Sequence, residues 1–552
     1  MNFISRRSPV LSLKGSVAAS QPLAVRAGVS ILEKGGNAAD AAVAVAAALN
    51  VTEPCSTGLG GDSFCLFYDN GTKEVHGLNG SGRSPTNLTL DLLQEQGYGK
   101  HNLLPIRHAY NVTVPGAAAA WLDTIETFGS GKISRSEILQ PAINLATEGF
   151  PVSAITAYSW NAGVDCLLMK RNPHGRTLLL HDKAPLAGEV MRMPVLAKTL
   201  NSLAVDGKDG FYKGRIAKAI ADIVQSNGGV LSVEDMEQHE TTFDNPIKVT
   251  YKGINVWEMP PNGQGITALL ALNLLKGIDT KGMGHNSIKY LSTLIQAMQL
   301  GFADSQWYCA DPAMVPVPVE ELLSDSYAAK RRLLINPNRA LDRWHQGSPT
   351  SSSDTVYFSV VDSQGNACSF INSNYMGFGT GLVPDGCGFT LQNRGANFSL
   401  QQAHPNVVAP RKRPYHTIIP GMATFADSGD LYASFGVMGG FMQPQGHVQV
   451  LLNMIEFDMD PQAALDMPRF CIMNGKETST ESEVAIEEGI GQQTLHALAS
   501  LGYRVRGPIC NYDRELFGRG QIIQKRFDKN NMTVYWAGSD GRADGLALAS
   551  LL

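Results

Sequence analysis

The sequence predicts an α/β fold built on one large buried core. Three observations carry this. The segment Ala38–Asn50 is almost entirely Ala, Val and Leu, and a helix apolar all round must be covered on every side. Thr355–Asp362 and Ala367–Asn372 read as two strands joined by the tight turn Ser363-Gln-Gly-Asn366, an antiparallel hairpin. Of the 552 residues 43% are hydrophobic and only 17% charged, a balance that disfavours disorder and favours extensive burial.

The elements follow in chain order. Ala19–Lys34 has helical apolar spacing and stops at Gly35-Gly36. Asn37 then caps the apolar helix Ala38–Asn50. Ser56-Thr-Gly-Leu-Gly-Gly-Asp62 reads as a loop, Ser63–Tyr68 as a strand, Asn70-Gly71 as a turn and Val75–Leu78 as the returning strand. Residues 115–330 are mostly helical in pattern, most clearly over Ala117–Phe128, Ser134–Glu148, Val195–Leu203, Lys213–Asn227 and Asn286–Asp304. Residues 340–354 end in Gly, Pro, Ser and Thr and read as an exposed loop, with the hairpin starting where it ends. Downstream, Leu431–Gly436 and Met532–Gly538 add strands, while Gln443–Phe457 and Gln492–Leu501 add helices.

Composition excludes several classes. A net charge of −5 leaves no basic excess for coating phosphates, so nucleic acid is not an expected partner. No run of 18 apolar residues is present to span a membrane, and no apolar run follows Arg6-Arg7 as a secretion signal would require. Eight Cys lie scattered without a C-x-x-C pair, which suits buried thiols in a reducing compartment better than a disulfide framework. The twelve His form no H-E-x-x-H or close ligand pair, so a catalytic metal is not expected. Gly377-Phe-Gly-Thr-Gly381 has Leu382 in the place of a third glycine and no βαβ unit around it, so no dinucleotide or other cofactor is expected.

A Thr at a loop–strand junction has a specific chemical use. Its hydroxyl is a weak nucleophile that needs a base. If the Asp354–Thr355 bond were cut, the new α-amine of Thr355, with an ordinary pKa of about 7.7–8.0, would be that base. The same hydroxyl could first attack the Asp354 carbonyl to make the cut. An oxyanion also needs donors, and Gly439-Gly440, at a strand-to-helix turn, offers bare backbone amides. Alone, each feature also fits ordinary strand packing or a plain turn.

The motifs in order go further. Gly35-Gly-Asn-Ala-Ala-Asp-Ala-Ala42, Thr52-Glu-Pro54 with Gly58-Leu-Gly-Gly61, Val114-Pro-Gly116, Pro141–Ala146, Pro260-Pro261, Phe302-Ala-Asp304 and Asp311-Pro312 come first. Thr355–Asn366, Phe378-Gly-Thr-Gly381, Lys412-Arg-Pro414, Gly439-Gly440 and Pro468-Arg-Phe470 complete the set. With these the sequence resembles the γ-glutamyltranspeptidase (glutathione hydrolase) family of N-terminal-nucleophile hydrolases, from Lys14 to about Leu548, in its YwrD-like and acylase-like branch. The resemblance implies a four-layer αββα sandwich, with no separate domains. It implies self-cleavage into residues 1–354 and 355–552, held as a heterodimer, with Thr355 as nucleophile and Gly439 and Gly440 as oxyanion donors. Ser373 falls where the family has a second Thr near the nucleophile. Because the resemblance starts at Lys14, little room remains for an anchor or secretion signal, and a cytoplasmic protein is expected.

Several positions depart from the family pattern, all in the expected substrate pocket. Tyr375 replaces an Asn, Arg394 a Gln, Asn397 an Asp, and His416-Thr417 a Ser-Ser pair. The family's carboxylate-clamping Arg has no counterpart, and Arg83, two residues away, is the candidate substitute. Exchanging Asp for neutral Asn397 and adding cationic Arg394 favours anionic acyl groups over ammonium groups. The expected function is hydrolysis of γ-glutamyl amides such as glutathione through an acyl ester, with transfer to amines slower than hydrolysis. Alternatives are an acylase for other acid-bearing amides (glutaryl, cephalosporin-type, oxamic) and, from another class, a non-catalytic scaffold. Arg394 pairing with a structural carboxylate, and His416 as an interior histidine, stay open at this point.

Overall fold

A computed structural model describes residues 7–341, 354–473 and 483–551, so most of the Ser-rich stretch before Thr355 lies outside the described residues. Thirteen strands form its two large sheets: Val10–Ser12 (β1), Ser16–Ala19 (β2), Asp62–Asp69 (β3), Glu74–Gly80 (β4), Ile247–Tyr251 (β5), Ile254–Glu258 (β6), Asp354–Val361 (β7), Ala367–Tyr375 (β8), Gly421–Phe425 (β9), Leu431–Met438 (β10), Arg519–Phe527 (β11), Thr533–Ser539 (β12) and Leu546–Ala549 (β13). One sheet runs β1-β12-β11-β10-β9-β6-β5 and the other β13-β2-β7-β8-β3-β4, every pairing antiparallel.

Helices cover both outer faces. Pro22–Glu33 (α1), Ala38–Thr52 (α2), Ala117–Phe128 (α3), Arg135–Glu148 (α4), Pro194–Tyr212 (α5) and Gly214–Ser226 (α6) lie on one side. Gly265–Leu275 (α7), Ile288–Tyr308 (α8) and Met442–Ile455 (α9) lie on the other. Alternation along β7 shows the layering: Val356, Phe358 and Val360 join the helical core of α1 and α2, while Tyr357 and Val361 join Phe64, Leu66, Met422, Met438 and Ile523 between the sheets. The fold is the αββα sandwich that the resemblance implies.

Sequence explains the central helix. The Asn37 side chain accepts from the Ala39 and Asp40 amides at 3.0 and 3.1 Å, and Asp40 returns a bond to the Asn37 amide at 3.0 Å, a capping box that starts α2. Every residue of α2 is buried, and its small side chains let α1 approach closely: a Cβ on Gly28 would lie 2.6 Å from Val45.

Three features differ from expectation. Helix α1 begins at Pro22 rather than Ala19, because Ser16–Ala19 is recruited as a wholly buried strand between β7 and β13. The mainly helical middle contains the hairpin β5–β6, whose alternating Ile, Val, Tyr and Trp turn at Lys252-Gly253, both at positive φ (46° and 81°). Helix α5 continues past Leu203 to a break at Gly207, where φ is 66° and ψ −147°, and a second helical stretch leads on to Tyr212.

The two sheets meet through contacts between β7 and β10. Ser359 Oγ on β7 donates to Ser434 Oγ on β10 at 2.6 Å, and a Cβ on Gly436 would lie 2.5 Å from the Tyr357 ring. Two residues further along each strand lie Thr355, at the start of β7, and Met438, where β10 ends and Gly439-Gly440 begins.

Replacing Asn37 with Ala removes the cap of α2 and its Nδ2 bond to the Phe128 carbonyl at 2.7 Å. We expect a loss of about 1–2 kcal/mol of stability, read by denaturant unfolding, with no change of fold in far-UV circular dichroism.

Candidate active site

Thr355 sits fully buried at the start of β7. Opposite it, β8 carries a bulge: Asn372 pairs with Val356 and Tyr375 with Asp354, so Ser373 and Asn374 together face Thr355. A bulge of this kind re-aims a side chain. Here Ser373 Oγ accepts from Thr355 Oγ1 at 3.0 Å and from the Tyr375 amide at 2.8 Å. Tyr375 takes up a positive φ of 75° as β8 ends.

Arg394, on a 3-10 turn spanning Arg394–Asn397, reaches the same hydroxyl. Its Nη2 donates to Ser373 Oγ at 3.2 Å and its Nη1 to Thr417 Oγ1 at 2.6 Å, and its guanidinium lies over the Tyr375 ring at 4.4 Å. It is fully buried, its Nε has no hydrogen-bond partner, and among the described residues no carboxylate lies within ion-pair distance. Burial pulls its pKa down to about 10, against the raising influence of Asp62. Burial also pushes the Tyr375 phenol up to about 12.

Asp62 is the residue that sequence reasoning missed. It is cross-strand from Ser373 and fully buried. Its Oδ1 accepts from the Gly82 amide (3.0 Å), the Gly116 amide (3.1 Å) and Gln392 Nε2 (2.9 Å). Its Oδ2 lies 2.9 Å from His416 Nε2. Burial alone would raise this carboxyl, but the His416 hydrogen bond, Arg394 and the Gln392 hydrogen bond outweigh it and hold the group below the usual range. His416 Nδ1 accepts from the Ile418 amide at 3.4 Å, which makes Nε2 the protonated nitrogen, donating to Asp62. Burial, then Arg394, drive the imidazole down to about 3, so it is neutral. Its position was legible as Asp62 closing the glycine run Gly58–Gly61, but nothing local in the sequence says that the carboxylate is buried.

The Gly439-Gly440 turn joins β10 to α9, with φ of 132° and 57°. Among the described residues neither amide donates a hydrogen bond. The turn's carbonyls are held: Met442 N donates to Gly439 O at 2.9 Å, and Gln264 Nε2 to both Gly440 O (2.8 Å) and Thr417 O (2.6 Å). Gln264, also missed from sequence, therefore ties the Thr417 segment to the turn.

The other expected residues divide. Asn397 lies in the cluster; its Nδ2 donates to the Tyr415 carbonyl at 3.0 Å, while its buried Oδ1 has no partner. Thr417 joins it through Arg394. His416 adjoins the cluster, with both ring nitrogens engaged within the protein, as an interior histidine's would be. Arg83 is not brought in: its Nη1 donates to the Glu240 carbonyl at 3.3 Å, on a small surface cavity shared with Gln238, His239 and Arg411. Its neighbour Gly82, which reaches Asp62, makes the position close in sequence but differently aimed. Asp354 precedes Thr355 in β7, in register with Tyr375. Asp544 caps the helix Ala154–Ala162, accepting from the Ile155 and Thr156 amides, a structural role.

A strand-leading Thr hydroxyl bonded to a second hydroxyl, within two facing antiparallel sheets covered by helices, defines the architecture of the N-terminal-nucleophile hydrolases. The Gamma-glutamyltranspeptidase family profile matches residues 24–550, and the chain belongs to that family. It is 35% identical over 542 residues to the glutathione hydrolase-like YwrD proenzyme of Bacillus subtilis, covering 98% of this chain and 99% of the relative. It is 29% identical to the oxamate amidohydrolase proenzyme of Klebsiella pneumoniae, covering 93% and 95%. Among solved structures, the cephalosporin acylase of Bacillus halodurans superposes with a TM-score of 0.90 at 42% identity, covering 99% and 97%. The protein is thus an enzyme of the hydrolase/transferase class, and the scaffold reading falls. Among the described residues no helix is long and apolar enough to cross a membrane.

The buried neutral His416 makes stability pH-dependent. Its folded pKa lies below its unfolded value of about 6.5, so the unfolded chain binds the extra proton and stability falls as pH drops from that value toward 3. Between pH 7 and 5 this one residue should cost roughly 1–2 kcal/mol. Thermal melts of wild type and His416→Asn across that range should show a shallower slope for the variant.

Proposed function

We propose that this protein is a self-processing threonine amide hydrolase whose acyl group carries a free carboxylate. The observation that carries this reading is Arg394: a fully buried guanidinium with no carboxylate at ion-pair distance among the described residues, one hydroxyl removed from Thr355 Oγ1. A buried Arg of this kind calls for an anion, bound by charge-assisted hydrogen bonds. Its unpartnered Nε and the Thr417 hydroxyl supply further contacts, with the Tyr375 ring as a wall. Asp62 supplies no counterpart for a substrate ammonium, since four donors already occupy it.

In the first step Thr355 Oγ1 attacks the carbonyl before it, the Asp354–Thr355 link is exchanged for an ester, and water releases a chain of residues 1–354 from a chain of residues 355–552 that starts with a free α-amine. The two stay together as a heterodimer. In turnover that amine takes the hydroxyl proton as Oγ1 attacks the substrate amide, and the Gly439 and Gly440 amides bind the resulting oxyanion. Collapse returns the proton to the leaving amine and leaves an acyl ester on Thr355. Water, activated by the same amine, then releases the acid. Before attack, the bond that Thr355 Oγ1 donates to Ser373 Oγ fixes the direction of the hydroxyl.

The names of relatives support both halves of this reading: proenzymes on the maturation side, and glutathione, cephalosporin and oxamate on the acyl side. Oxamate is itself a monoamide bearing a free carboxylate. We favour dicarboxylic monoamides, with γ-glutamyl amides weaker because Asn397 stands in place of an acid.

Two experiments test this. On a denaturing gel the mature protein should give two bands, the smaller with Thr355 at its amino terminus, while Thr355→Ala should remain full-length and inactive; amidase turnover by the Ala variant would sink the reading. In a panel of glutaryl, oxamyl, γ-glutamyl and uncharged acyl amides, Arg394→Gln should lose on the order of 10- to 100-fold in kcat/KM for the anionic acyl groups, and little for uncharged ones.

A further inference from the structure

Away from Thr355, five charged side chains are buried together: Arg469, Glu487, Arg514, Asp540 and Arg542. Arg469 Nη2 lies 2.7 Å from Asp540 Oδ2, Arg542 Nη1 lies 2.9 Å from Asp540 Oδ1, and Arg542 Nη2 lies 2.6 Å from Glu487 Oε2. Arg514 Nε completes the set 2.7 Å from Glu487 Oε1. Burial would raise both carboxyls, but the surrounding guanidinium groups hold Asp540 and Glu487 below the usual range. Replacing buried ion pairs with well-packed apolar groups is often neutral or stabilising, so the presence of these five buried charges invites a geometric explanation.

What they hold is one stretch of backbone. Arg469 Nη1 donates to Phe517 O at 2.9 Å and to Gly518 O at 3.4 Å, and Asp540 Oδ2 accepts from the Gly520 amide at 2.9 Å. Between them the Arg519 side chain is fixed to Glu53 at 3.0 Å. This stretch is the wall of the Gly439-Gly440 turn. Met438 and Arg519 form the last pair of β10 with β11, and the next residue on each side is glycine. Gly518 has φ of 71°, and a Cβ there would lie 2.2 Å from Met438 O. A Cβ on Gly439 would in turn lie 3.2 Å from Gly518 Cα. Gln264 grips the far side of the turn at Gly440 O.

We propose that the buried Arg469–Asp540–Arg542–Glu487 cluster is a positioning device for the oxyanion turn: it fixes residues 517–520, which fix the direction of the Gly439 and Gly440 amides, making Arg469 and Gly518 positioning residues for acyl transfer. The inference rests on the reading of Thr355 as nucleophile and of that turn as its oxyanion site. Oxyanion donors act only when already aimed, and a displacement of about 1 Å costs on the order of 100-fold in rate.

The test uses the mature protein, with rates expressed per chain bearing Thr355 at its amino terminus. Gly518→Ala and Arg469→Lys should each lower kcat by on the order of 10- to 100-fold, with KM and the acid limb of the pH profile unchanged, because substrate contacts and the base are untouched. A purely structural role would lower the melting temperature while leaving kcat per mature site at the wild-type value; that result in a folded variant overturns the proposal, as does a loss confined to KM. If Gly518→Ala does not fold, Arg469→Lys, which keeps the charge, decides alone. Thr355→Ala run alongside separates the two levels: turnover there removes the nucleophile reading, whereas an inactive Thr355→Ala beside wild-type kcat in the other two removes only the positioning role.

Discussion

The hydrogen bond between Thr355 and Ser373 is the contact on which the rest of the site depends, and a single extra residue in β8 makes it possible. In a regular ladder Ser373 and Asn374 would alternate across the sheet, and only one of them could face Thr355. The bulge places both opposite it and turns the Ser373 hydroxyl toward Thr355. The same hydroxyl then receives Arg394, so Thr355 and Arg394 share one oxygen.

The second constraint is electrostatic. A guanidinium and a carboxylate, Arg394 and Asp62, are both fully buried, yet they do not touch. Asp62 spends its oxygens on two backbone amides, Gln392 and His416; Arg394 spends its donors on Ser373 and Thr417. Keeping the opposite charges apart stops them from satisfying each other. It leaves the Arg394 guanidinium charged inside a protein interior, where an anion is attracted far more strongly than it would be at the surface. The neutral imidazole of His416 fills the gap without adding charge.

How much of this the sequence disclosed follows from the range of the forces involved. Helix α2 was legible because its cap and its apolar residues are local, and the hairpin β7–β8 because alternation and its turn are local. The hairpin β5–β6 shows equally clear alternation, but it sits among helices and turns at Lys252-Gly253 rather than at a familiar Asn-Gly pair. Within the site, Thr355, Ser373, Arg394 and the glycine pair came from ordered motifs. Asp62 and Gln264 did not, because each gains its role from partners more than 150 residues away: His416 and Gln392 for one, Thr417 and Gly440 for the other. Arg83 shows the converse, since sequence offset alone could not say that its side chain turns toward Glu240.

The strand order β13-β2-β7-β8-β3-β4 has a consequence for any chain cut before Thr355. Segments from the two sides of that bond are interleaved, with β2 wedged between β13 and β7, and β8 laid against β3. The other sheet repeats the pattern, β1 on β12 and β9 on β6. The halves could part only by dismantling both sheets, so a nicked molecule would behave on dilution as one indivisible body, and its pieces would neither exchange with fresh partners nor be replaced one at a time.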